Sequence, residues 1–454
     1  MTSQSESSLT PTQDTEVSVE TSRKSSLWHH PNFFRLWLSE TISAFGGQFS
    51  GLGILFTATL VLKAHAQDIA FLAAVQTAPF LIFGLIAGVW VDRHLKRRIM
   101  VAANIGRAIV LGSVPIVFLI GRLSMSWLYL TSFLVGTLQV FYDISYQAYL
   151  PALVERQQIS EGNSKLEGSR STSQVAGPTM AGVVIQAVSA PFAIAVDAIG
   201  FIASALSLSG INRRETISVD GPRPSVLHDI REGLAVVFGD RRLRSIAGST
   251  ATSNFFSSAL GPIAFFYWTN TDLATKNMGL GLDPSLVGLI FSFGSIGGIL
   301  GAVFYARIAR RIGVGWAIIS SMLVGTIAAF TYYIATPSMS NSILRIYGFS
   351  LTQAVTILLI GQFVISIGVV VYNVNQVSLR QAIVPLRLQG RMNATMRFLV
   401  WGTLPLGGIF GGILVVLIGV RPTILVTAAG GTLSFLWVLL SPVRSLKTIP
   451  EPMS

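Results

Sequence analysis

Three carboxylates and one guanidinium fall inside apolar stretches of this chain: Glu40, Asp143, Asp197 and Arg107. Charge in hydrocarbon costs several kcal/mol unless it is paired or wetted, so each of the four is a candidate for function before it is a candidate for structure. Glu40 and Asp197 could carry protons, because a partly desolvated carboxylate can alternate between neutral and charged forms as water access changes. Arg107 could be their counter-ion or could hold an anionic group. The structural alternatives are an ion pair of Glu40 with Arg35 or Arg107, and a simple hydrogen bond for Asp197. All four lie in the first half of the chain, and the apolar stretches of the second half contain no acid or histidine.

A second concentration of charge lies between two apolar stretches, in Gly88 to Arg98 (GVWVDRHLKRR). Asp92, Arg93, His94, Lys96, Arg97 and Arg98 share one short connection, and Gly88 would let two helices approach just before the chain turns. The frame returns 213 residues later, where Gly301, Arg310 and Arg311 take the places of Gly88, Arg97 and Arg98. There Tyr305 and Ala306 replace the Asp-Arg pair. An internal repeat of this kind suggests two related halves.

These groups must be positioned by membrane helices. The chain has 454 residues, of which 51% are hydrophobic and only 11% charged, and a mean hydropathy of +0.63. That composition excludes an ordinary soluble globule and leaves no room for a large soluble domain. Twelve apolar windows are predicted, near 36–62, 69–91, 99–121, 127–149, 172–189, 191–211, 246–268, 285–306, 315–336, 350–374, 398–419 and 422–441. Very short turns follow the fifth and eleventh windows.

The 32 Lys and Arg residues set the orientation. With both termini on one side, the opposite loops hold only Lys63, Arg122, Lys276, Arg345 and Arg421, so the terminal side is predicted to be cytoplasmic. The net charge of +12 therefore reflects membrane topology and implies no nucleic-acid partner. Residues 1–31 read as a disordered cytoplasmic tail, since 13 of the first 26 are Ser or Thr. Residues 32–211 form a first six-helix bundle, 246–444 a second, and 445–454 a short tail. The connection 212–245 carries Leu227, Ile230, Leu234 and Val237 at helical spacing, which predicts an amphipathic helix on the membrane surface, serving as a packing strap between the halves or else as a regulatory site.

Gly88, Asp92, Arg93, Lys96 and Arg97 match a loop of the form Gly-x-x-x-Asp-Arg-x-Gly-Arg-Arg, with Leu95 in the place of the second glycine. With twelve windows in a six-plus-six arrangement, the whole chain from Asn32 to Arg444 resembles the major facilitator superfamily of secondary transporters. The stretches DISYQAYLP from Asp143, DAIGFIASA from Asp197 and PLRLQGRMNATMRFLVWGTLPLG from Pro385 resemble the branch holding macrolide-type drug efflux proteins and siderophore (enterobactin-type) exporters. The resemblance implies an all-α integral membrane fold of twelve helices in two pseudo-symmetric bundles. It also implies an inner gate in which Asp92 meets the start of the eleventh helix, near Arg391 to Arg397, while Arg93 or Arg97 pairs with Asp143. Arg98 completes this cluster. Gly177-Pro178 with Gly182 resembles the hinge that exporters of the superfamily carry in the fifth helix, although Ala181 replaces one usual glycine.

For cargo, Asn254, Phe255, Phe256, Phe265, Phe266 and Tyr267 in the seventh window join Gln362, Tyr372, Asn373, Asn375 and Gln376 in and after the tenth. A midplane cavity of aromatics and amides suits a bulky amphipathic organic molecule. The expected function is export of such a compound from a bacterial cell through the inner membrane, in exchange for protons, by a functional monomer. No cofactor or metal is expected beyond the proton gradient. An importer of a small organic solute and a transport-inactive receptor or scaffold are the alternatives. Enzyme chemistry is not expected, since there is no phosphate-binding glycine loop and His29, His30, His65, His94 and His228 all fall outside the windows.

Overall fold

The computed structural model describes residues 27–155, 158–212, 226–270, 279–340, 343–346 and 349–448. The first six spans are α1 (Pro31–Phe56), α2 (Ala66–Asp92), α3 (Lys96–Leu119), α4 (Met125–Leu153), α5 (Ile159–Val188) and α6 (Ala190–Ser209). The connecting helix α7 (Val226–Gly239) precedes α8 (Arg241–Thr269) and α9 (Pro284–Ile312), the seventh and eighth spans. The ninth span is α10 (Val314–Ala328), continued by α11 (Thr331–Ile334). After α12 (Pro337–Ser340) and an antiparallel hairpin of β1 (Ile343–Ile346) and β2 (Phe349–Thr352), α13 (Gln353–Ile383) forms the tenth. The eleventh span is α14 (Leu386–Trp401) with α15 (Thr403–Ile418), and the twelfth is α16 (Val420–Thr432) with α17 (Ser434–Leu439).

Among the described residues, nine of these spans are long and apolar enough to cross a membrane by length and composition. The other three, α4, α5 and α8, are as long but more polar; α5 alone carries Glu161, Lys165, Glu167 and Arg170. Such polarity is tolerated where a helix faces protein or a wet cavity instead of lipid.

The two halves pack in the same order. α1 lies on α5 and α6, α2 on α4, and α3 on α4 and α6; correspondingly α8 lies on α15, α16 and α17, α9 on α13, and α10 on α13, α16 and α17. Between the halves, α5 meets α9 and α2 meets α15. The turns repeat as well. α5 and α6 are separated by Ser189 alone, at φ 82° and ψ 157°, and α15 and α16 by Gly419 alone, at φ 84° and ψ 173°. Both occupy a region of backbone space that is nearly reserved for glycine.

The cores are distributed unequally along the membrane axis. Far from the chain termini, one cluster joins both halves, with Phe56 and Ile185 packed among Phe265, Trp268 and Ile290, and the rings of Phe56 and Phe265 meet edge to face at 4.9 Å. Toward the termini each half has its own cluster, one around Phe33, Met100 and Tyr149, the other around Ile246, Leu379 and Val443.

Two boundaries differ from expectation. Leu27 is fully buried and its N–H donates to Glu161 Oε1 at 3.1 Å, so the end of the expected tail is anchored on α5; residues 1–26 and 449–454 lie outside the described residues. Helix α7 does not simply lie on a surface. It packs on α14, with Val237 buried in the same cluster as Met392 and Met396, and with Glu232 paired to Arg391. The side chains of Leu227 and Ile230 lie outside the described ones.

Candidate functional site

The charges of the first half converge. Glu40 on α1 accepts a hydrogen bond from the hydroxyl of Tyr142 on α4. Arg107 on α3 donates to Gln139 Oε1 and to Asn104 Oδ1, and Gln139 Nε2 donates to Asp143 Oδ1 at 2.7 Å. Arg107 is only 2% exposed, and its guanidinium is held between the rings of Tyr142 and Phe201, at 4.3 and 4.2 Å from their centres. Asn104 continues the network through Ser204 at 2.7 Å, which also meets Ser39 at 2.6 Å and Ser43 at 3.0 Å. Burial this deep requires such bonds, because an unpaired polar group away from water costs its full desolvation. Glu40 and Asp143 keep part of their surface accessible as residues, whereas Arg107, Asn104 and Ser204 are buried.

Of the alternatives for Glu40, Arg35 is removed: its guanidinium donates to the Gly210 carbonyl at the end of α6. Arg107 faces Glu40 without a direct bond to it. Asp197 is fully buried, and neither of its oxygens has a hydrogen bond of good geometry. Ser50 is a polar neighbour of its carboxyl, and Arg107 is a cation that faces it. It also stands against Gly46 of α1, where a Cβ would collide with its carboxylate.

The loop motif is arranged differently from expectation. Asp143 faces Arg107, Arg397 and Arg170, and its described hydrogen bond is to Gln139 and not to Arg93 or Arg97. Arg97 reaches the carbonyls of Ser209, at 3.1 Å, and Ile211, while Arg93 and Arg98 are exposed. The physical reason is the helix end nearby: the last carbonyls of α6 are unsatisfied acceptors, and a cation beside them gains both hydrogen bonds and the helix dipole. The side chain of Asp92 lies outside the described ones. Gly88 has no described heavy atom within 4 Å of where a Cβ would stand, so it mediates no close helix approach here; its counterpart Gly301 does, against Ile367 and Val370 of α13. Across the halves, Arg397 donates to Gln147 Oε1 on α4 at 3.1 Å, and Arg391 is held by Glu232.

Gly182 of α5 lies against the backbone of Pro284 and Ser285, and Gly288 of α9 lies against that of Pro178 and Thr179. The contact is reciprocal, and a Cβ on either glycine would meet main-chain atoms. Thr179 adds bonds from its N–H and hydroxyl to Ser292 Oγ, at 3.1 and 2.8 Å. Gly177 packs on Gln48.

A cavity of about 300 Å³ lies within the second bundle, between α8, α10, α13 and α16. Asn254, Phe256, Tyr372 and Asn373 line it. Phe255 and Gln376 do not: Phe255 packs on Phe256 and Phe410 where α8 crosses α15, and Gln376 is buried. No described group of three His, Asp or Glu residues is arranged to hold a metal ion.

Gln139, Tyr142, Arg170 and Arg380 escaped the sequence reading. Arg170 and Arg380 fall outside the apolar windows because a hydropathy window stops at charge, whereas α5 begins at Ile159 and α13 runs to Ile383.

A family model described as Major Facilitator Superfamily matches residues 36–352. The "Multidrug efflux pump Tap" of Mycolicibacterium fortuitum is 25% identical over 84% of this chain and 88% of its own length. "Macrolide efflux protein A" of Streptococcus pyogenes is 22% identical over 45% of this chain, which spans about half (51%) of that relative. Among solved structures, an inward-facing bacterial homologue of the iron transporter ferroportin superposes with a TM-score of 0.67 at 15% identity, over 90% of this chain and 98% of that one.

Proposed function

This chain belongs to the major facilitator superfamily, and from that premise we propose that it is a proton-driven exporter of a bulky amphipathic organic compound of the drug or siderophore kind. The observation that carries the reading is the network of Glu40, Tyr142, Arg107, Gln139 and Asp143, because it ties two carboxylates to one buried guanidinium through neutral hydrogen-bonding side chains within the spans. Export is favoured by two relatives named as efflux proteins, at low identity.

In the proposed cycle the terminal side is the one that opens, a reading supported by the core the halves share away from the termini and their separate cores beside them. A proton leaving Asp143 toward the cytoplasm restores its charge. The carboxylate then attracts Arg397 from the other half, which favours closing the terminal side around bound cargo. Protonation from the far side removes that attraction and lets the terminal side reopen. Each ligand shifts the equilibrium only by its preference for one state. The reciprocal crossing of α5 and α9 is the pivot in this reading, and the protein works as a monomer in the bacterial inner membrane with both termini in the cytoplasm.

The test is transport of a tritiated macrolide by the purified chain in vesicles. An imposed pH gradient should drive its accumulation on the acidic side, a protonophore should abolish it, and Asp143→Asn should lose the drive while still exchanging labelled for unlabelled macrolide. Accumulation that ignores the gradient would overturn the coupling.

A further inference from the structure

The cavity inside the second bundle is kept open by residues that neither backbone nor packing requires. Gly261, Gly325 and Gly431 line it from α8, α10 and α16. None has a positive φ. A Cβ at Gly261 would meet nothing within 4 Å, and at Gly325 and Gly431 its nearest neighbours would be 3.6 and 3.7 Å away, which is ordinary contact. Alanine would therefore fit at all three, and within a helix glycine is the less favourable residue. These differ from Gly182, Gly288 and Gly368, where a Cβ would meet main-chain atoms. What the three glycines have in common is a place on the cavity wall with room for at least a methyl group.

The wall is uncharged and its donors are largely committed. The hydroxyls of Ser257, Ser321, Thr326 and Thr427 donate to carbonyls of their own helices, at 3.2, 3.1, 2.9 and 2.7 Å. Asn254 Nδ2 donates to the Val400 carbonyl at 3.1 Å, and the Tyr332 hydroxyl to Gln362 at 2.5 Å. The pocket so formed offers methyl groups, ring faces and acceptor lone pairs. It suits an apolar body without a strong need for donors, and at about 300 Å³ it lies at the small end of ligand pockets. At its mouth Ser257, Val369 and Asn373 are exposed.

We infer that this cavity binds the uncharged apolar body of the transported compound, a ring system or branched chain, within the second bundle, and that Gly261, Gly325 and Gly431 set the size it accepts. The inference rests on the export reading for the identity of the ligand. It divides the labour of the two halves: the first carries the charge and the second receives the apolar bulk.

The chain contains no cysteine, so Ser257→Cys places a single thiol at the mouth. The rate of maleimide labelling of that thiol is measured in nanodiscs and in detergent, with and without N-phenyl-1-naphthylamine, an uncharged apolar dye. The dye should slow labelling by about tenfold at saturation. Adding Gly261→Leu or Gly431→Leu should abolish that protection, Gly261→Ala should retain most of it, and Gly84→Leu on α2, also at an open position, should leave it unchanged. If the leucine variants do not fold, Val369→Trp closes the mouth and makes the same test. Absence of protection, or protection that survives filling, overturns the inference. So does slow labelling in nanodiscs that ignores the dye, since lipid chains would then be the occupant. A protein that shows protection but no proton-driven transport keeps the pocket and loses the export reading; one that transports the dye without protection loses the pocket alone.

Discussion

Arg397 of α14 bonds to Gln147 of α4 at 3.1 Å, joining the halves on the side where their cores are separate. Its guanidinium also lies 5.4 Å from the centre of the Trp401 ring and faces Asp143. A residue with one neutral partner and one charged partner across the same gap is suited to move between them. Arg397→Ala should lower the transport rate by about tenfold, equivalent to about 1.4 kcal/mol on the barrier. Arg397→Lys should recover part of that loss, because it keeps the charge without the planar fork. Affinity for the transported compound at equilibrium should change little in either variant; a proportional loss of affinity would place Arg397 in the binding site instead.

The Tyr142 hydroxyl holds Glu40 from α4, while the Tyr142 ring covers Arg107. Tyr142→Phe keeps the ring and removes the bond, so the packing of Arg107 should survive. The loss in proton-driven transport should be about fivefold, or about 1 kcal/mol, the net worth of one ordinary hydrogen bond. Glu40→Gln should be the more severe change and should flatten the dependence of transport on pH. Initial rates measured between pH 5.5 and 8.5 decide this, and an unchanged profile in Glu40→Gln would remove Glu40 from proton coupling.

Ser189 is strained twice over. Its backbone sits at φ 82° and ψ 157°, and its hydroxyl is buried with no hydrogen-bond partner. The matching turn in the second half uses Gly419. Ser189→Gly removes both penalties and should stabilise the protein by about 1 to 2 kcal/mol. Gly419→Ser should destabilise it similarly. Thermal unfolding in detergent, followed by tryptophan fluorescence, gives the order; a destabilised Ser189→Gly would mean that the hydroxyl has a partner in the membrane.

The spans and the four intramembrane charges were legible because hydrocarbon excludes charge so strongly that each exception stands out. Tyr142 was not, since a phenol in an apolar helix reads like any other aromatic until its hydroxyl is seen on Glu40. Nor were Gly182 and Gly261 distinguishable: the first is pressed against α9 and the second faces a cavity, yet both are glycines in apolar helices. Expecting Arg97 to pair with Asp143 failed for a related reason. The carbonyls of Ser209 and Ile211 that it bonds to are main-chain acceptors, exposed by the end of α6 and carrying no side-chain signature.

Asp240 shows how pH acts outside the membrane helices. It caps α8, accepting from the N–H groups of Arg242 and Leu243 at 2.7 and 3.2 Å, and it pairs with the Arg242 guanidinium at 2.7 Å. Partial burial works against its charge, but the hydrogen bonds from Arg242 and Leu243 prevail and hold the carboxyl below its ordinary value. A depressed carboxylate stabilises the fold fully above its unfolded value of about 3.9 and ceases to as pH falls through the lower folded value. The first turn of α8 should therefore be insensitive to pH from 8 down to about 5 and loosen only in stronger acid. Asp240→Ala should cost about 1 kcal/mol there at neutral pH, and Asp240→Asn less, since an amide oxygen still caps. Hydrogen exchange over residues 241–247, corrected for intrinsic rates, reads both effects; loosening between pH 7 and 5 would show that a different group controls this end of the second bundle.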